Sequence, residues 1–369
     1  MNVTSARRAT VPAAMFLTLG LAASACGAAN ESPANAQQSD TALTGTLNGA
    51  GASSQEAAMA AWQAGFQGAN SNVTVNYDPV GSGGGREQFV AGGVAFAGSD
   101  AYLDDDEGEL TKAAERCTAD PIEIPSYVSP IAVIYNLDGV DDLRLSPETL
   151  AKIFDGTITR WDDEAIAADN PDADLPDEAV TPVHRADDSG TTENFTAYLA
   201  DAADGAWGHE PDGVWPLKSG EAANGTSGVV AAVKNGAGTI GYADHSQAGD
   251  LGVASVKVGE EYVAPSAEAA SKVLEVSPRV EGRPDVDMAV DLDRATGESG
   301  AYPVVLTSYL IACQTYADQQ TADLVKGFLT YVVGDEGQQA AADAAGSAPL
   351  SDALQDEAQA IVEKIAVGS

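Results

Sequence analysis

After residue 40, short apolar runs alternate with amphipathic segments along the chain. In the first such unit, residues 43–66, an apolar run enters a Gly/Ser loop, and Met59, Trp62 and Phe66 then recur at helical spacing. This order predicts a strand, a loop and a helix with one buried face. Because similar units follow through the rest of the chain, the pattern predicts an α/β architecture.

Gly/Ser-rich loops stand directly before three of the predicted helices. These loops are GAGASS (49–54), GSGGG (81–85) and SGTT (189–192). In the first, Ser53 and Glu56 have capping-box spacing, which predicts that Ser53 caps the helix. Such loops present backbone N–H groups and hydroxyls at a helix N-terminus, where the helix dipole favours an anion. One loop alone is usually a cap or a turn. Three loops, the last of them close to Arg185, indicate an anion-binding site.

Motifs for nucleotides and metals do not fit this chain. The segment GSGGGR (81–86) lacks the third glycine of GxGxxG, and no GxxxxGK[ST] motif occurs. His184, His209 and His245 lie far apart in the sequence, and there is no CxxC motif. We therefore expect neither a zinc site nor a cofactor.

The composition of the chain is strongly acidic. It has 56 acidic and 18 basic residues, a formal net charge of −38, and 44% hydrophobic residues. The apolar fraction is typical of a globular protein, so the acidic residues belong to its surface. Such a surface repels nucleic acid at long range, and we expect no nucleic-acid partner.

The N-terminal segment has the organisation of an export signal. Two arginines precede an apolar stretch, 11–23, which is too short to span a bilayer and is followed by small residues before Cys26. We expect a signal peptide over 1–25, lipidation of Cys26 and a flexible tether over 26–40. Signal cleavage without lipidation is the alternative. The expected location is extracytoplasmic, anchored by lipid to the cell membrane.

Two further cysteines, Cys117 and Cys313, are present in the chain. In an exported protein such a pair predicts a disulfide, although two buried free thiols are the alternative.

Six motifs together carry a resemblance to a known family. The chain resembles the phosphate-binding protein (PstS type) of bacterial high-affinity phosphate ABC transporters over about 43–365. The motifs, in the family's order and approximate spacing, are GAGAS (49–53), GSGGG (81–85), GSDAYL (98–103), IFDGTITRWDDEAI (153–166), HRADDSGTT (184–192) and GTIGYAD (238–244).

The resemblance implies a fold and a function. The fold is the type II periplasmic-binding-protein fold, in which two α/β lobes joined by two crossover strands close on one ligand. Lobe 1 would comprise 41–136 plus 302–369, and lobe 2 would comprise 137–301. The function is capture of inorganic phosphate by a lipid-anchored monomer that is not an enzyme and delivers phosphate to ABC permease subunits in the membrane.

The resemblance also places the phosphate contacts. Two departures concern them: Ser53-Ser54 stands where the family usually has Thr-Phe, and Asp188 replaces the usual glycine. The implied contacts are Ser53, Ser54, Ser82, Asp100, Arg185, Ser189, Gly190 and Thr191.

Side-chain chemistry supports these implied roles. Arg185 offers a planar, permanently charged fork of donors, and a salt bridge with Asp187 would position it. Asp100 follows an apolar run, and its carboxylate can accept a hydrogen bond from protonated phosphate. Fully deprotonated sulfate has no such proton, so Asp100 favours phosphate over sulfate.

Other functions remain open from the sequence. A site for sulfate or molybdate uses the same kinds of donors, with Asp100 as the main feature against it. A phosphoester hydrolase would need a nucleophile and a base, but no GxSxG motif occurs and His184 lies beside Arg185. A surface adhesin or sensor role is compatible with anion binding.

Overall fold

The computed structural model of the protein describes residues 42–105 and 108–368. The predicted signal peptide, the lipidation site Cys26 and the tether lie outside these residues and stay predictions. The described residues belong to one compact unit. Within the described part, no helix combines the length and apolar character needed to cross a bilayer.

The described strands are β1 (Gly45–Gly51), β2 (Val73–Asp78), β3 (Phe96–Ser99), β4 (Ile122–Asn136), β5 (Arg144–Leu145), β6 (Thr181–Arg185), β7 (Glu221–Ala223), β8 (Thr239–Asp244), β9 (Gly252–Val253), β10 (Ser255–Val258), β11 (Glu261–Val263), β12 (Val305–Ala312), β13 (Thr315–Tyr316) and β14 (Ala366–Val367). Most of them belong to one mixed sheet, which has the strand order β2-β1-β3-β12-β4-β8-β6-β7, with β9 also paired to β4.

Helices pack around this sheet, and the predicted apolar face of the first helix is confirmed, because Met59, Trp62 and Phe66 are all buried. The described helices are α1 (Glu56–Ala69), α2 (Ser82–Val90), α3 (Glu109–Cys117), α4 (Pro147–Phe154), α5 (Glu164–Asp169), α6 (Gly190–Ala202), α7 (Gly225–Asn235), α8 (Ala267–Val276), α9 (Gln319–Val333), α10 (Asp335–Ala345) and α11 (Asp352–Val362), with a 3₁₀ turn at His245–Gln247.

The predicted capping box at the start of α1 is wrong. The helix begins at Glu56, its N-cap residue is Gln55, and no side chain caps it. The hydroxyl of Ser53 bonds instead with Thr226, which is distant in sequence. A long-range contact thus replaces the local cap that the spacing suggested.

Strand β4 connects the two parts of the main sheet. Its first part, up to Pro130, runs antiparallel to β12, and its second part, from Ile131 to Asn136, runs antiparallel to β8. Strands β1, β2 and β3 are parallel on one side, and β6, β7 and β8 are parallel on the other. The α/β architecture is therefore confirmed. The division into lobes at the implied boundaries stays a prediction.

The carboxyl ends of β1, β2, β3 and β6 lead into the segments that contain the predicted site residues, and Arg185 is itself the last residue of β6. Such ends of parallel strands, followed by helix N-termini, are the usual place for ligands in α/β folds. Elsewhere, Cys117 at the end of α3 forms a disulfide with Cys313, with their Cα atoms 5.1 Å apart. The predicted disulfide is thus present.

Candidate functional site

Asp100 lies at the centre of the predicted site. It follows β3 and is only 3% exposed. Ser54 Oγ donates to its carboxylate, at 2.7 Å from Oδ1 and 2.8 Å from Oδ2, and Thr191 Oγ1 donates to Oδ2 at 2.9 Å. Burial raises the pKa of the Asp100 carboxyl, whereas these hydrogen bonds and the charge of Arg185 oppose that rise. The carboxylate therefore joins the loop before α1 to the first turn of α6.

The N-termini of α2 and α6 meet beside Asp100. The backbone N–H of Asp100 donates to Oγ of Ser82, the first residue of α2, at 3.1 Å. A Cβ placed on Gly190, the first residue of α6, would lie 2.7 Å from that same Oγ and 2.8 Å from Asp100 Cβ. Only glycine permits this approach. Ser189 is the N-cap residue of α6, where its Oγ accepts from the N–H of Thr192 at 3.3 Å.

Arg185 ends β6 and is 2% exposed. Its Nε donates to Asp187 Oδ1 at 2.8 Å, and its Nη2 contacts Oδ2, so the predicted salt bridge is present. Burial raises the pKa of Asp187, but the hydrogen bonds and charge of Arg185 outweigh it and lower the pKa below its usual value. A Cβ on Gly81 would lie 3.6 Å from Arg185 Nη2, which places the guanidinium close to the start of α2.

Asp188 is accommodated by neighbouring glycines. Cβ atoms added to Gly83 and Gly213 would lie 2.1 Å and 2.3 Å from atoms of its carboxylate. Its Oδ1 also lies 4.0 Å from Nη2 of Arg86, a residue of α2. The carboxylate that replaces the usual glycine thus occupies space that other glycines leave open, next to a positive charge.

Sequence reasoning missed the contribution of α7. Thr226 N–H donates to Ser53 Oγ at 3.1 Å, and the two hydroxyls lie 3.0 Å apart. The N–H of Gly225 donates to Asp187 Oδ1 at 3.0 Å. The segment NGTSG (224–228) before α7 has the same Gly/hydroxyl composition as the three loops identified above, and this signal was available in the sequence.

Two further side chains at the site gave no signal in the sequence. Gln247 Nε2 donates to the backbone oxygen of Ser53 at 2.9 Å and to that of Ser54 at 3.3 Å. Asn194 Nδ2 donates to the backbone oxygen of Asp100 at 2.7 Å. Both are amides whose partners lie far away in the chain. The structure thus brings all eight implied contact residues to one place.

Comparison with known proteins identifies the family of the chain. A family model described as the PBP superfamily domain matches residues 35–336. The chain is 37% identical over 327 residues to the phosphate-binding protein PstS 3 of Mycobacterium tuberculosis, covering 87% of each chain. It is 33% identical over 274 residues to the phosphate-binding protein PstS of Xylella fastidiosa, covering 72% of this chain and 71% of the relative.

Solved structures share the fold. A high-affinity periplasmic phosphate-binding protein solved with phosphate superposes with a TM-score of 0.70 at 24% identity, covering 86% of this chain and 93% of the other. A phosphate-binding protein from Stenotrophomonas maltophilia superposes with a TM-score of 0.65 at 22% identity, covering 86% and 94%. The chain therefore belongs to the PBP superfamily and, within it, to the family of the PstS phosphate-binding proteins.

Proposed function

We propose that this protein is an extracytoplasmic binding protein that captures inorganic phosphate and delivers it to an ABC permease. The observation that carries this proposal is that the N-termini of α2 and α6 meet at buried Asp100, with the Arg185 guanidinium close to the start of α2. The names of the relatives support the same ligand.

The donors of the site suit a tetrahedral oxyanion. Asp187 uses two of the five N–H donors of Arg185, which leaves the others for oxygens of an anion. Helix N-termini at Ser82 and Gly190 add backbone N–H groups and a favourable dipole. The hydroxyls of Ser82 and Ser189 accept hydrogen bonds from the protein, so their own hydrogens are available to the anion. The Ser53 hydroxyl pairs with Thr226 and that of Thr191 donates to Asp100, so Thr191 would offer its backbone N–H.

Asp100 gives the site its selectivity for phosphate. Near neutral pH, phosphate keeps at least one proton and can donate it to the carboxylate. Sulfate has no proton to donate, so it would place an unpaired acceptor and a like charge beside a buried acid. A site built around a ligand hydroxyl can reject an analogue without it by about 10⁴.

The proposed organisation of the chain suits delivery of phosphate to a permease. Lobe 1 would supply Ser53, Ser54, Ser82 and Asp100, and lobe 2 would supply Arg185 and 189–191. Phosphate would then hold the two lobes closed. Lipid on Cys26 and the tether 26–40 would keep the monomer beside the permease, with no cofactor and no catalytic step.

Calorimetric titration of phosphate into phosphate-stripped protein tests this proposal. We expect saturable binding of one phosphate, a much weaker response to sulfate, and no release of product from a chromogenic phosphoester. Arg185→Ala should weaken phosphate binding by at least about 100-fold, because charged hydrogen bonds to a buried ligand are among the strongest. Absence of binding by stripped wild-type protein, or turnover of the phosphoester, would contradict the proposal.

A further inference from the structure

Asn194 connects two elements of the site from behind. It lies on α6 and is 5% exposed. Its Nδ2 donates to the backbone oxygen of Gly190 at 2.7 Å and to the backbone oxygen of Asp100 at 2.7 Å. Both hydrogens of the amide are therefore used. The side chain fixes the distance between the first residue of α6 and the residue that carries the central carboxylate.

Arg294 sets the orientation of this amide. It is 7% exposed, its Nη1 donates to the backbone oxygen of Val305 at 2.9 Å, and its Nη2 donates to Asn194 Oδ1. A flipped amide would direct its NH₂ at the guanidinium and its oxygen at two carbonyl oxygens. Donors would then face donors, and acceptors would face acceptors. The cation therefore holds the only orientation that can bond Asp100.

Asn194 borders open space on one side. A cavity of about 230 Å³ lies beside it, and Asp100, Asn194, Arg294 and Thr307 are among the residues that line it. On that side no side chain packs against the amide, and its hydrogen bonds to Gly190, Asp100 and Arg294 hold its position.

We propose that Asn194 and Arg294 are positioning residues that set the phosphate-over-sulfate selectivity of the site. Their hydrogen bonds go to backbone oxygens and to each other, so their proposed role is to hold the site and not to bind the anion. By fixing the backbone of Asp100 against Gly190, they hold the carboxylate where it meets the phosphate proton while the α6 N–H groups meet other oxygens. This inference rests on the proposed function, since it concerns the geometry of the same anion site.

The two anions respond differently to loss of this connection. Phosphate loses affinity, because its bond to the carboxylate depends on a fixed position of Asp100. Sulfate makes no such bond, and a displaced carboxylate repels it less. The ratio of the two affinities is therefore the measurement that separates positioning from general structural support, which would weaken both anions alike.

The experiment measures phosphate and sulfate affinities by calorimetry and competition at fixed pH and ionic strength. Asn194→Ala removes the amide, and Arg294→Met removes the guanidinium while keeping a long side chain. Arg294→Lys is the conservative variant, and Arg144→Met is the matched control, because Arg144 is exposed. Thermal unfolding of each variant establishes that it is folded before titration.

We expect the phosphate-to-sulfate ratio to fall at least tenfold in Asn194→Ala and Arg294→Met, to recover in part in Arg294→Lys, and to stay unchanged in Arg144→Met. Equal losses for both anions, or an unchanged ratio, would overturn the inference. If sulfate competes with phosphate in none of the proteins, a loss of phosphate affinity of less than tenfold in Asn194→Ala and Arg294→Met overturns the inference. If wild-type protein binds no phosphate, the proposed function itself fails, which is a separate and recognisable result.

Discussion

At the scale of single residues, the sequence indicated which groups meet but not how they bond. The resemblance implied that Ser54, which replaces the family's aromatic residue, contacts phosphate. Its hydroxyl in fact donates to Asp100. This bond depends on the direction of one Oγ atom inside a folded loop, which no spacing in the sequence specifies. The residue types were predictable, whereas their pairing required the positions of β1 and β3.

Asp100→Asn tests the proposed proton acceptor. The amide keeps the shape, removes a negative charge and adds a donor. For phosphate, relief of repulsion opposes the loss of a charged acceptor, so its affinity should change little. For sulfate, both changes improve binding. The phosphate-to-sulfate affinity ratio should fall at least tenfold, or about 1.4 kcal/mol, in competition titrations at fixed pH. An unaltered ratio would assign the selectivity to other groups.

Glu193 gives the stability of the protein a pH dependence. Burial raises its pKa from 4.5 to about 7, with Asp104 and Asp188 adding to the rise and Arg86 opposing it. Because the folded pKa is higher, its stabilising contribution is full below pH 4.5 and is lost as the pH rises through 7.

The free energy of unfolding of Glu193→Gln relative to wild type should therefore be higher at pH 8 than at pH 4.5, by up to about 3 kcal/mol. Urea unfolding of both proteins at the two pH values measures this double difference, in which contributions from other groups cancel. The same free-energy difference between variant and wild type at both pH values would contradict the prediction.

At the scale of helices and strands, the periodicity of the sequence predicted the features that depend on contacts within one segment. The apolar face of α1 and the helix starts at the Gly/Ser loops follow from spacing within one segment. The capping box failed because Thr226, 173 residues from Ser53, binds the hydroxyl that the local pattern had assigned to a cap. The sequence pattern did not predict the pairing of β4 with both β12 and β8, since the register of these strands depends on contacts between distant segments.

The disulfide between Cys117 and Cys313 joins α3 to the segment after β12, across a sequence separation of 196 residues. Closing so long a loop restricts the unfolded chain and contributes up to about 5 kcal/mol in the chain-entropy model. Replacement of both cysteines by alanine should lower the free energy of unfolding by several kcal/mol in urea. Wild-type protein with reductant should behave like the variant. Two thiols that alkylate in native, unreduced protein would contradict the bond itself.

At the scale of the whole molecule, a net charge of −38 surrounds a site for an anion. The acidic surface and the anion site are compatible because their charges act on the ligand over different distances. Salt at physiological strength screens exposed charges beyond about 8 Å, whereas the buried donors of Arg185 and the helix N-termini act at hydrogen-bond length. The composition therefore predicts an acidic surface and no nucleic-acid partner, but the ligand followed only from local motifs.

The last prediction concerns the coupling of ligand and stability. Phosphate should bind the folded protein and not the unfolded chain, because the donors of the site come from segments that are far apart in the sequence and meet only after folding. At 100 times the dissociation constant, phosphate should stabilise the protein by about 2.7 kcal/mol through mass action. Thermal unfolding of phosphate-stripped protein, with and without phosphate at constant ionic strength, measures this gain. Arg185→Ala serves as the matched control, and its melting temperature should respond little to the same phosphate concentration. A wild-type melting temperature that does not change with phosphate would refute the site, whereas equal increases in both proteins would indicate general anion stabilisation in place of binding at Arg185.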